Sequence, residues 1–591
     1  MKHIFKLLVL LPLFAAVACD DLLEPAIENN RDIDAMENDP SYALGVLGNA
    51  YILLPYNTSP TSDVATDDAV SNDNSNTWRA MATGAWTSQN DPTSQWKSCF
   101  NAIQYINLFL EHLDNVTFAL DENIQTMFID HYRGEALGLR AIFMYYLLRA
   151  HGGISPDGVL LGVPIKLASE GIGSDFSQPR NTYAECMEQL LQDCDDAIEL
   201  LALDYKVHTA DEIPSKYASM GVTVSHYDRV NGVFMAGRLS GRIMEAVRAQ
   251  ATLMAASPAF SDGSGITWEE AANSAGKLLS RIDGPAGLDA DGFTWYTNTS
   301  EIAGLGSGEV PPEILWRTSY SNSNTLEGDN FPPSLYGNGR VNPTQNLVDA
   351  FPMANGYPID NSNSGYDASN PYENRDPRLA TYIITNGSTA GSATITTGSY
   401  GTNNDAINRE SGHSTRTGYY LRKHLRFDCN LDPNYNTEQR HYSARIRYTE
   451  IFLDYAEAAN EAWGPKGQGS FGFSAYDVIK ALRSRAGVGT DNGDPYLEEC
   501  ANSQDRMREL IRNERRLELC FENIRFYDLR RWNANLTEAA QGVNITRAAN
   551  GRLTYTPIQV EERSYQSYMV YGPIPYNDVL NFGFVQNQGW Q

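Results

Sequence analysis

Hydrophobic side chains recur every three or four residues along several long segments of the chain, which is the pattern of amphipathic helices. The clearest of these segments are residues 94–114 and 123–150. Between about 283 and 440 the helical period disappears, and Gly, Asn, Ser, Pro and Tyr dominate. Helical patterns then return. The sequence therefore predicts a mainly α protein, in which a helical scaffold (about 39–282 and 441–532) carries a large irregular, loop-rich insertion (about 283–440) with a few short strands.

Charge narrows the range of partners. The 591 residues include 73 acidic and 45 basic side chains, which gives a formal net charge of −28. Such an excess of negative charge argues against nucleic acid as a partner, because phosphate binding requires a basic face. An acidic surface suits a neutral or cationic ligand. The hydrophobic content of 42% is ordinary for a folded protein with a sizeable core.

The most highly charged helical pattern lies near the C-terminus. Leu510, Leu517, Phe521 and Ile524 form one apolar stripe at helical spacing. Acidic and basic side chains stand three or four residues apart beside this stripe, and such neighbours can pair along a helix. We expect a helix that is wedged into the core with its charges satisfied by partners. The expected pairs are Arg515–Glu518, Glu522–Arg525 and Arg525–Asp528.

The same stretch carries a family resemblance. Residues 513–532 read NERRLELCFENIRFYDLRRW, which resembles the SusD/RagB signature NERRxELxFExxRFxDLRRW. Residues 342–351, residues 375–379 and the C-terminal tail are also similar to that family. Its members are nutrient-binding lipoproteins of the Bacteroidetes outer membrane. The resemblance implies a scaffold of tetratricopeptide-like helix pairs, although the sequence itself contains no convincing 34-residue repeat.

The N-terminus has the features of an export signal. Lys2 and Lys6 flank the start of an apolar run that extends to Val17, and this run is too short to span a membrane. The small residues before Cys19 resemble a lipobox, in which the cysteine is freed and acylated. We therefore predict a lipoprotein signal peptide (residues 1–18), lipidation of Cys19 and a single domain over 19–591. The acidic residues that follow Cys19 resemble a surface-export signal, so we expect an outer-membrane protein that faces the cell exterior.

The resemblance also implies a function and a partner. The protein is expected to bind an oligosaccharide or polysaccharide at the cell surface, without catalysis, and to deliver it to a SusC-like TonB-dependent transporter. One alternative keeps the fold and the transporter but replaces the glycan by peptides, as in RagB-type members. A second alternative is a secreted glycoside hydrolase.

Catalytic and metal-binding motifs are missing from the sequence. It contains no HExxH, GxSxG or P-loop motif. Glu514, Glu518 and Glu522 lie on neighbouring helical positions, but each has an arginine nearby that would keep it ionised and a poor general acid. The six cysteines after Cys19 show no metal-ligand spacing. The segment 289–292 resembles the start of a calcium loop but lacks the later acidic ligand, which favours a turn rich in Asp and Gly. We predict no cofactor and no metal site; a structural calcium ion stays open as an alternative that the sequence does not support.

Binding is better supported than catalysis. Aromatic rings stack on the apolar faces of sugars while neighbouring polar groups bind the hydroxyls, and several aromatic residues lie in the irregular stretches. In the resembling family an early loop and the central insertion build the ligand surface, which favours Trp78, Trp295 and Tyr296. The full set of candidates is Trp78, Trp86, Trp295, Tyr296, Tyr320 and Tyr336.

Overall fold

The computed structural model describes residues 33–56 and 59–591. The predicted signal peptide and the predicted lipidation site, Cys19, lie outside these residues. Within them, long helices occur on both sides of an irregular insertion that holds a few short strands, so the predicted mainly α class is confirmed. The grouping of residues 19–591 as one domain stays a prediction.

Long helices form the scaffold. They are α1 (Pro40–Ile52), α2 (Trp96–His112), α3 (Glu122–His151), α4 (Tyr183–Leu200), α5 (Val224–Asn231), α6 (Gly241–Ala256), α7 (Trp268–Leu279), α8 (Tyr448–Trp463), α9 (Ala475–Arg485), α10 (Gln504–Glu518) and α11 (Arg525–Arg531). Shorter helices are Thr77–Ala80, Ser215–Ala218, Thr299–Gly304, Thr325–Asn330, Gln345–Ala350, Pro377–Tyr382, Pro495–Cys500 and Tyr576–Phe582.

Successive long helices pack side by side. Helix α2 contacts α1 and α3, α3 contacts α4, and α4 contacts α6. The series continues from α6 to α7 and from α7 to α8, although the insertion separates α7 from α8 in sequence. Helix α8 then packs against α9 and α10. Their apolar faces form one large core, as expected for helices that bury one face each.

The strands are short and pair antiparallel in twos. They are β1 (Ala69–Ser71), β2 (Gly153–Ile154), β3 (Leu160–Leu161), β4 (Ile314–Arg317), β5 (Ser321–Ser323), β6 (Val341–Pro343), β7 (Ile383–Ile384), β8 (Thr389–Ala390), β9 (Ala393–Thr394), β10 (Tyr420–Leu421), β11 (Gln439–His441), β12 (Ala444–Arg447), β13 (Ala540–Arg547) and β14 (Leu553–Glu561). The pairs β4–β12 and β5–β11 join the beginning of the insertion to its end, directly before α8.

The hairpin β13–β14 follows the C-terminal motif and was not predicted. Its strands are the longest among the described residues. Strand β14 largely alternates apolar and polar residues from Leu553 to Glu561, and Asn550-Gly551, a common hairpin turn, lies just before it. The sequence therefore carried the signals of this hairpin, and the prediction missed them.

The ion pairs predicted within the C-terminal motif are wrong. Helix α10 ends at Glu518, and a turn that contains Glu522 separates it from α11, so Glu522 and Arg525 do not share a helix face. The other two expected pairs each lie on one helix, but their side chains bind different partners. Their partners come from other segments or from the far end of the motif. Arg515 pairs with Asp454 and Asp528, Glu518 with Arg485, Glu522 with Arg447 and Lys423, and Arg525 with Asp67.

The turn between α10 and α11 is held by the early loop. The buried carboxylate of Asp63 accepts the backbone N–H groups of Phe521, at 3.0 Å, and of Asn523, at 3.1 Å. Both of these turn residues have left-handed backbone angles, with φ of 63° and 62°. Such angles are costly for Phe and acceptable for Asn, so the hydrogen bonds to Asp63 stabilise a strained turn.

We expect Arg447→Met to lower the free energy of unfolding by about 3–5 kcal/mol, because it leaves buried carboxylates without their cation. The buried Arg447 guanidinium lies 2.8 Å from Glu313 and 2.8 Å from Glu522. Urea unfolding measures the loss. The control is Arg506→Met, which breaks an exposed pair with Glu499 and should cost less than about 1 kcal/mol. Equal losses in the two variants would show that the buried network does not hold the fold.

Candidate functional site

Three neighbouring cavities lie between the scaffold and the insertion. We name them the insertion cavity (about 310 Å³, lined by Trp295 and Tyr442), the central cavity (about 200 Å³, lined by Tyr146) and the scaffold cavity (about 470 Å³, lined by Tyr320). Arg445, on β12, lines all three. Together they form a cleft, and their volumes fall in the range of ligand pockets when combined.

An aromatic group forms one wall of the insertion cavity. The ring of Trp295 lies 5.2 Å from that of Tyr442, 5.7 Å from that of Tyr296 and 5.7 Å from that of His424. Burial lowers the pKa of His424 to about 3, and the neighbouring Lys423 lowers it further in the same direction. The imidazole is therefore neutral near pH 7. The wall offers ring surface without a fixed charge of its own.

Three polar atoms on this wall have no hydrogen-bond partner among the described residues. They are Nε1 of Trp295 and the hydroxyls of Tyr296 and Tyr442, and all three are buried. Trp295 is 6% exposed and Tyr296 is 4% exposed. A buried polar group without a partner costs free energy that a bound acceptor can recover. The wall therefore combines ring edges with unsatisfied donors, which is the combination that a sugar requires.

A row of aromatic rings and two arginines lines the central cavity and the adjoining side of the scaffold cavity. The ring of Tyr56 lies 5.4 Å from Trp316 and 5.4 Å from Tyr146. Arg445 lies over Trp316, and Arg149 lies over Tyr146. None of these residues was predicted as a site residue. Most of them lie on helix α3 and strands β4 and β12. In the sequence they follow the ordinary pattern of buried helices and strands, so nothing marked them as site residues.

Two carboxylates, those of Glu450 and Glu522, border both the insertion cavity and the central cavity. Burial, with the negative charge of Asp454 one helical turn away, raises the pKa of Glu450 to about 7. Its Oε1 accepts a hydrogen bond of 2.8 Å from the side-chain amide of Gln250. Although burial alone would raise the pKa of Glu522, Arg447 and Lys423 lower it to about 2. One acid is therefore partly protonated near neutrality, and the other is a fully ionised, paired carboxylate.

Four of the predicted aromatic residues border the cleft. Trp295 and Tyr296 line the insertion cavity, Trp78 lines the central cavity and Tyr320 lines the scaffold cavity. Residues more than 200 positions apart in the chain are thus brought to one cleft. Their contact with a ligand stays a prediction.

The other two predicted residues lie elsewhere. Trp86 is 3% exposed and packs in an aromatic cluster, with its ring 4.9 Å from Trp590 and 5.8 Å from Phe526. Its Nε1 donates to Asp91. Tyr336 is 58% exposed and borders none of the three cavities. Trp86 is therefore a core residue because its loop folds back against the C-terminal tail, and Tyr336 is a surface residue outside the cleft.

One trio of potential metal ligands was missed by the sequence analysis. Glu327, Cys429 and His441 come from three separate segments, and their ligand atoms lie within 4.8 Å of one another. Nδ1 of His441 donates to the carbonyl of Gln439, which directs Nε2 toward Glu327 at 3.0 Å. The residue types suit zinc, but three ligands that already bond to one another do not define an ion. The expectation of no metal site stays a prediction.

Two family models match different parts of the chain. The model described as "SusD family" matches residues 312–590, and the model described as "Starch-binding associating with outer membrane" matches residues 33–225. The chain belongs to the SusD family. Among the described residues, no helix is both long enough and apolar enough to cross a membrane.

Solved structures with similar folds cover nearly the whole chain. A SusD-like protein from Bacteroides fragilis is 20% identical, with a TM-score of 0.70 over 95% of this chain and 99% of that chain. A SusD-like carbohydrate-binding protein from the same species is 19% identical, with a TM-score of 0.66 over 92% and 98%. A laminarin-binding SusD-like protein is 17% identical, with a TM-score of 0.54 over 93% and 99%.

A curated relative is more similar over a shorter segment. The SusD-like protein P2 of Formosa agariphila is 31% identical over 112 residues, which are 19% of this chain and 21% of that relative. The match thus spans about a fifth of its length.

We expect Trp86→Ala to lower the free energy of unfolding by about 3–5 kcal/mol, as for other buried aromatic residues in cores. Tyr336→Ala, at an exposed position, should change it by less than about 0.5 kcal/mol. Thermal and urea unfolding of the two variants measure the difference. A stable, folded Trp86→Ala protein would mean that this ring is not part of the core.

Proposed function

We propose that this protein binds an oligosaccharide in the cleft. The observation that carries the proposal is the wall of the insertion cavity, where buried Trp295, Tyr296 and Tyr442 hold polar atoms that have no partner in the described part of the chain. Each hydroxyl of a sugar both donates and accepts a hydrogen bond, and its C–H faces suit aromatic rings. Membership of a family whose models include starch-binding proteins, and similarity to carbohydrate-binding and laminarin-binding proteins, support the same ligand class.

The binding is proposed to be non-catalytic. Hydrolysis of a glycosidic bond needs two carboxyl groups on opposite sides of that bond. Glu450 has a pKa near that of a general acid. The ionised carboxylate that borders the same two cavities, Glu522, is paired with Arg447 and Lys423, which makes it a poor nucleophile or base. The other carboxyl with a raised pKa beside Glu450, that of Asp454, follows one turn later on the same helix. Asp454 is also paired with Arg515 at 2.6 Å. Two acids on one helix face approach a ligand from the same side, which is the wrong arrangement for displacement at a sugar carbon.

The cell surface is the proposed place of action. A lipid on Cys19 would anchor the chain in the outer membrane, facing outward, and a SusC-like TonB-dependent transporter would accept the ligand. The predicted lipobox and the description of one matching family model, "associating with outer membrane", support this proposal. Release to a transporter requires moderate affinity, which suits recognition by stacking and hydrogen bonds alone.

We expect titration calorimetry on residues 20–591 to detect saturable binding of one glycan from a panel of plant, host and microbial oligosaccharides. The double variant Tyr296→Phe, Tyr442→Phe should then bind about 30-fold more weakly, since each lost hydrogen bond contributes about 1 kcal/mol. Its thermal stability should not fall, because the two deleted hydroxyls are unpaired in the free protein. Tyr336→Phe is the control and should bind like the wild type.

The same titration distinguishes the alternatives. Binding heat from a mixed peptide digest, with no binding heat from any glycan, would show that the ligand is a peptide and not a sugar. Appearance of shortened sugars during incubation would show hydrolysis and overturn the non-catalytic proposal. Loss of binding in Tyr336→Phe, with full binding in the double variant, would move the site out of the insertion cavity.

We expect the full-length chain, tagged at its C-terminus and purified from Bacteroidetes membranes in mild detergent, to bring down one large TonB-dependent β-barrel. The Cys19→Ala variant lacks the acyl chains that hold a lipoprotein stably at the membrane and should leave the membrane fraction. Membrane-bound wild-type protein without such a companion would overturn the transport proposal.

A further inference from the structure

Most buried arginines in the described part of the chain bind carboxylates or carbonyl groups. Arg447 bridges Glu313 and Glu522, and Arg531 forms two bonds with Glu457. This is expected, because a buried charge without a partner is costly. In a chain with 73 acidic side chains and 45 basic ones, carboxylates are also plentiful.

The side chains of Arg149 and Arg445 do not follow this rule. Neither guanidinium makes a hydrogen bond or an ion pair with any residue that the structure describes, and Nε of Arg445 is fully buried. Burial lowers the pKa of Arg445 from its ordinary value, which is the sign of a cation that has lost water without gaining an anion. Both side chains line the central cavity.

Aromatic rings hold these two cations in place. Cζ of Arg149 lies 3.9 Å from the ring centre of Tyr527 and 4.3 Å from that of Tyr146. Cζ of Arg445 lies 4.5 Å from the ring centre of Trp316. Stacking orients a planar guanidinium and stabilises its charge through the ring face. It uses the faces of the guanidinium and leaves the N–H edges available to another group.

The rings also connect the two arginines. Tyr56 lies between Tyr146 and Trp316, at 5.4 Å from each. The row therefore runs from Arg149 through three rings to Arg445 without interruption. One surface of the cleft therefore presents aromatic rings and cationic side chains next to each other.

The other charges of the central cavity cancel the two arginines only in part. Glu522 is neutralised by Arg447 at 2.8 Å and by Lys423 at 2.6 Å. Glu450 accepts a hydrogen bond from Gln250. Burial and Asp454 raise its pKa to about 7. The central cavity is thus a local positive region in a protein of net charge −28, and low-dielectric walls strengthen the field inside it.

We propose that the cleft selects an acidic glycan, one that carries carboxylate or sulfate groups, and that Arg149 and Arg445 bind those groups. This inference rests on the proposed glycan-binding function and specifies its ligand class. Each guanidinium offers parallel N–H groups at the spacing of two anion oxygens, while the rings between them contact the sugar faces. The negative remainder of the surface repels an acidic chain, so binding would be confined to the cleft.

Calorimetry with three probes tests the inference: an oligogalacturonate for carboxylate, a carrageenan oligosaccharide for sulfate, and a panel of neutral gluco-, xylo- and manno-oligosaccharides. We expect one acidic probe to bind saturably and the neutral ones to bind at least 10-fold more weakly. Arg149→Gln and Arg445→Gln should each weaken binding of the acidic probe at least 10-fold. Raising NaCl from 50 to 500 mM should weaken it in the wild type, because salt screens charge pairs.

The matched control is Arg512→Gln. Arg512 also stacks on a ring, with Cζ 4.8 Å from Trp532, and burial also lowers its pKa, but it lines none of the three cavities. It should bind the acidic probe like the wild type. Circular dichroism and melting temperatures establish that each variant is folded. If a variant fails to fold, the salt dependence of binding by the wild-type protein is used to test the inference instead.

The outcomes separate this inference from the proposed function. A neutral oligosaccharide that binds as tightly as the acidic ones, unaffected by Arg149→Gln or by salt, overturns the acidic-ligand inference and leaves glycan binding in place. Equal weakening in Arg512→Gln also overturns it, because the effect is then not specific to the cleft. Absence of binding by every glycan, acidic or neutral, overturns both.

Discussion

The buried ion pairs around the C-terminal motif are the interaction on which the rest of the structure depends. Charged residues of α10, α11 and the intervening turn bind partners on the early loop, the insertion, α8 and α9. Most of these buried charges have a partner on another segment, so moving one segment would leave several buried ions unpaired at once. An irregular insertion that lacks a regular sheet is thereby fixed to a helical scaffold. The cleft lies along this junction, and its shape follows from the same pairs.

Helical periodicity and family resemblance were enough to predict the class of fold and the family. They failed where partners are distant in sequence. Glu522 was paired by proximity with Arg525, whereas it binds Arg447 and Lys423. The hairpin β13–β14 was missed although β14 largely alternates apolar and polar residues, because the prediction relied on helical periodicity and followed it only to the C-terminal motif. Spacing along a helix is informative only while the helix continues, and α10 ends at Glu518.

The site was predictable only in part, for a related reason. Trp295 and Tyr296 stood out because an aromatic residue in a polar loop is unusual. Arg149 and Arg445 did not, since an arginine in a helix or strand usually has a partner. Only the structure reveals that these two have none among the residues it describes. Net charge also does not describe the cleft. It sums over the whole surface, whereas a ligand meets the field of one cleft.

The ties across the cleft have a consequence for how the chain matures. The backbone N–H of Ser62 donates to the side chain of Asn523, which lies 461 positions later. The carboxylate of Asp63 accepts a hydrogen bond from the backbone N–H of Phe521, 458 positions later. Contacts between residues so far apart in sequence form slowly, because the entropy of closing a long loop is lost before the contacts stabilise the structure. The lining of the central cavity runs from Pro55 to Tyr527, so no N-terminal fragment that lacks the C-terminal motif contains all of it. A ligand that needs the complete cavity can therefore bind only after this motif has docked.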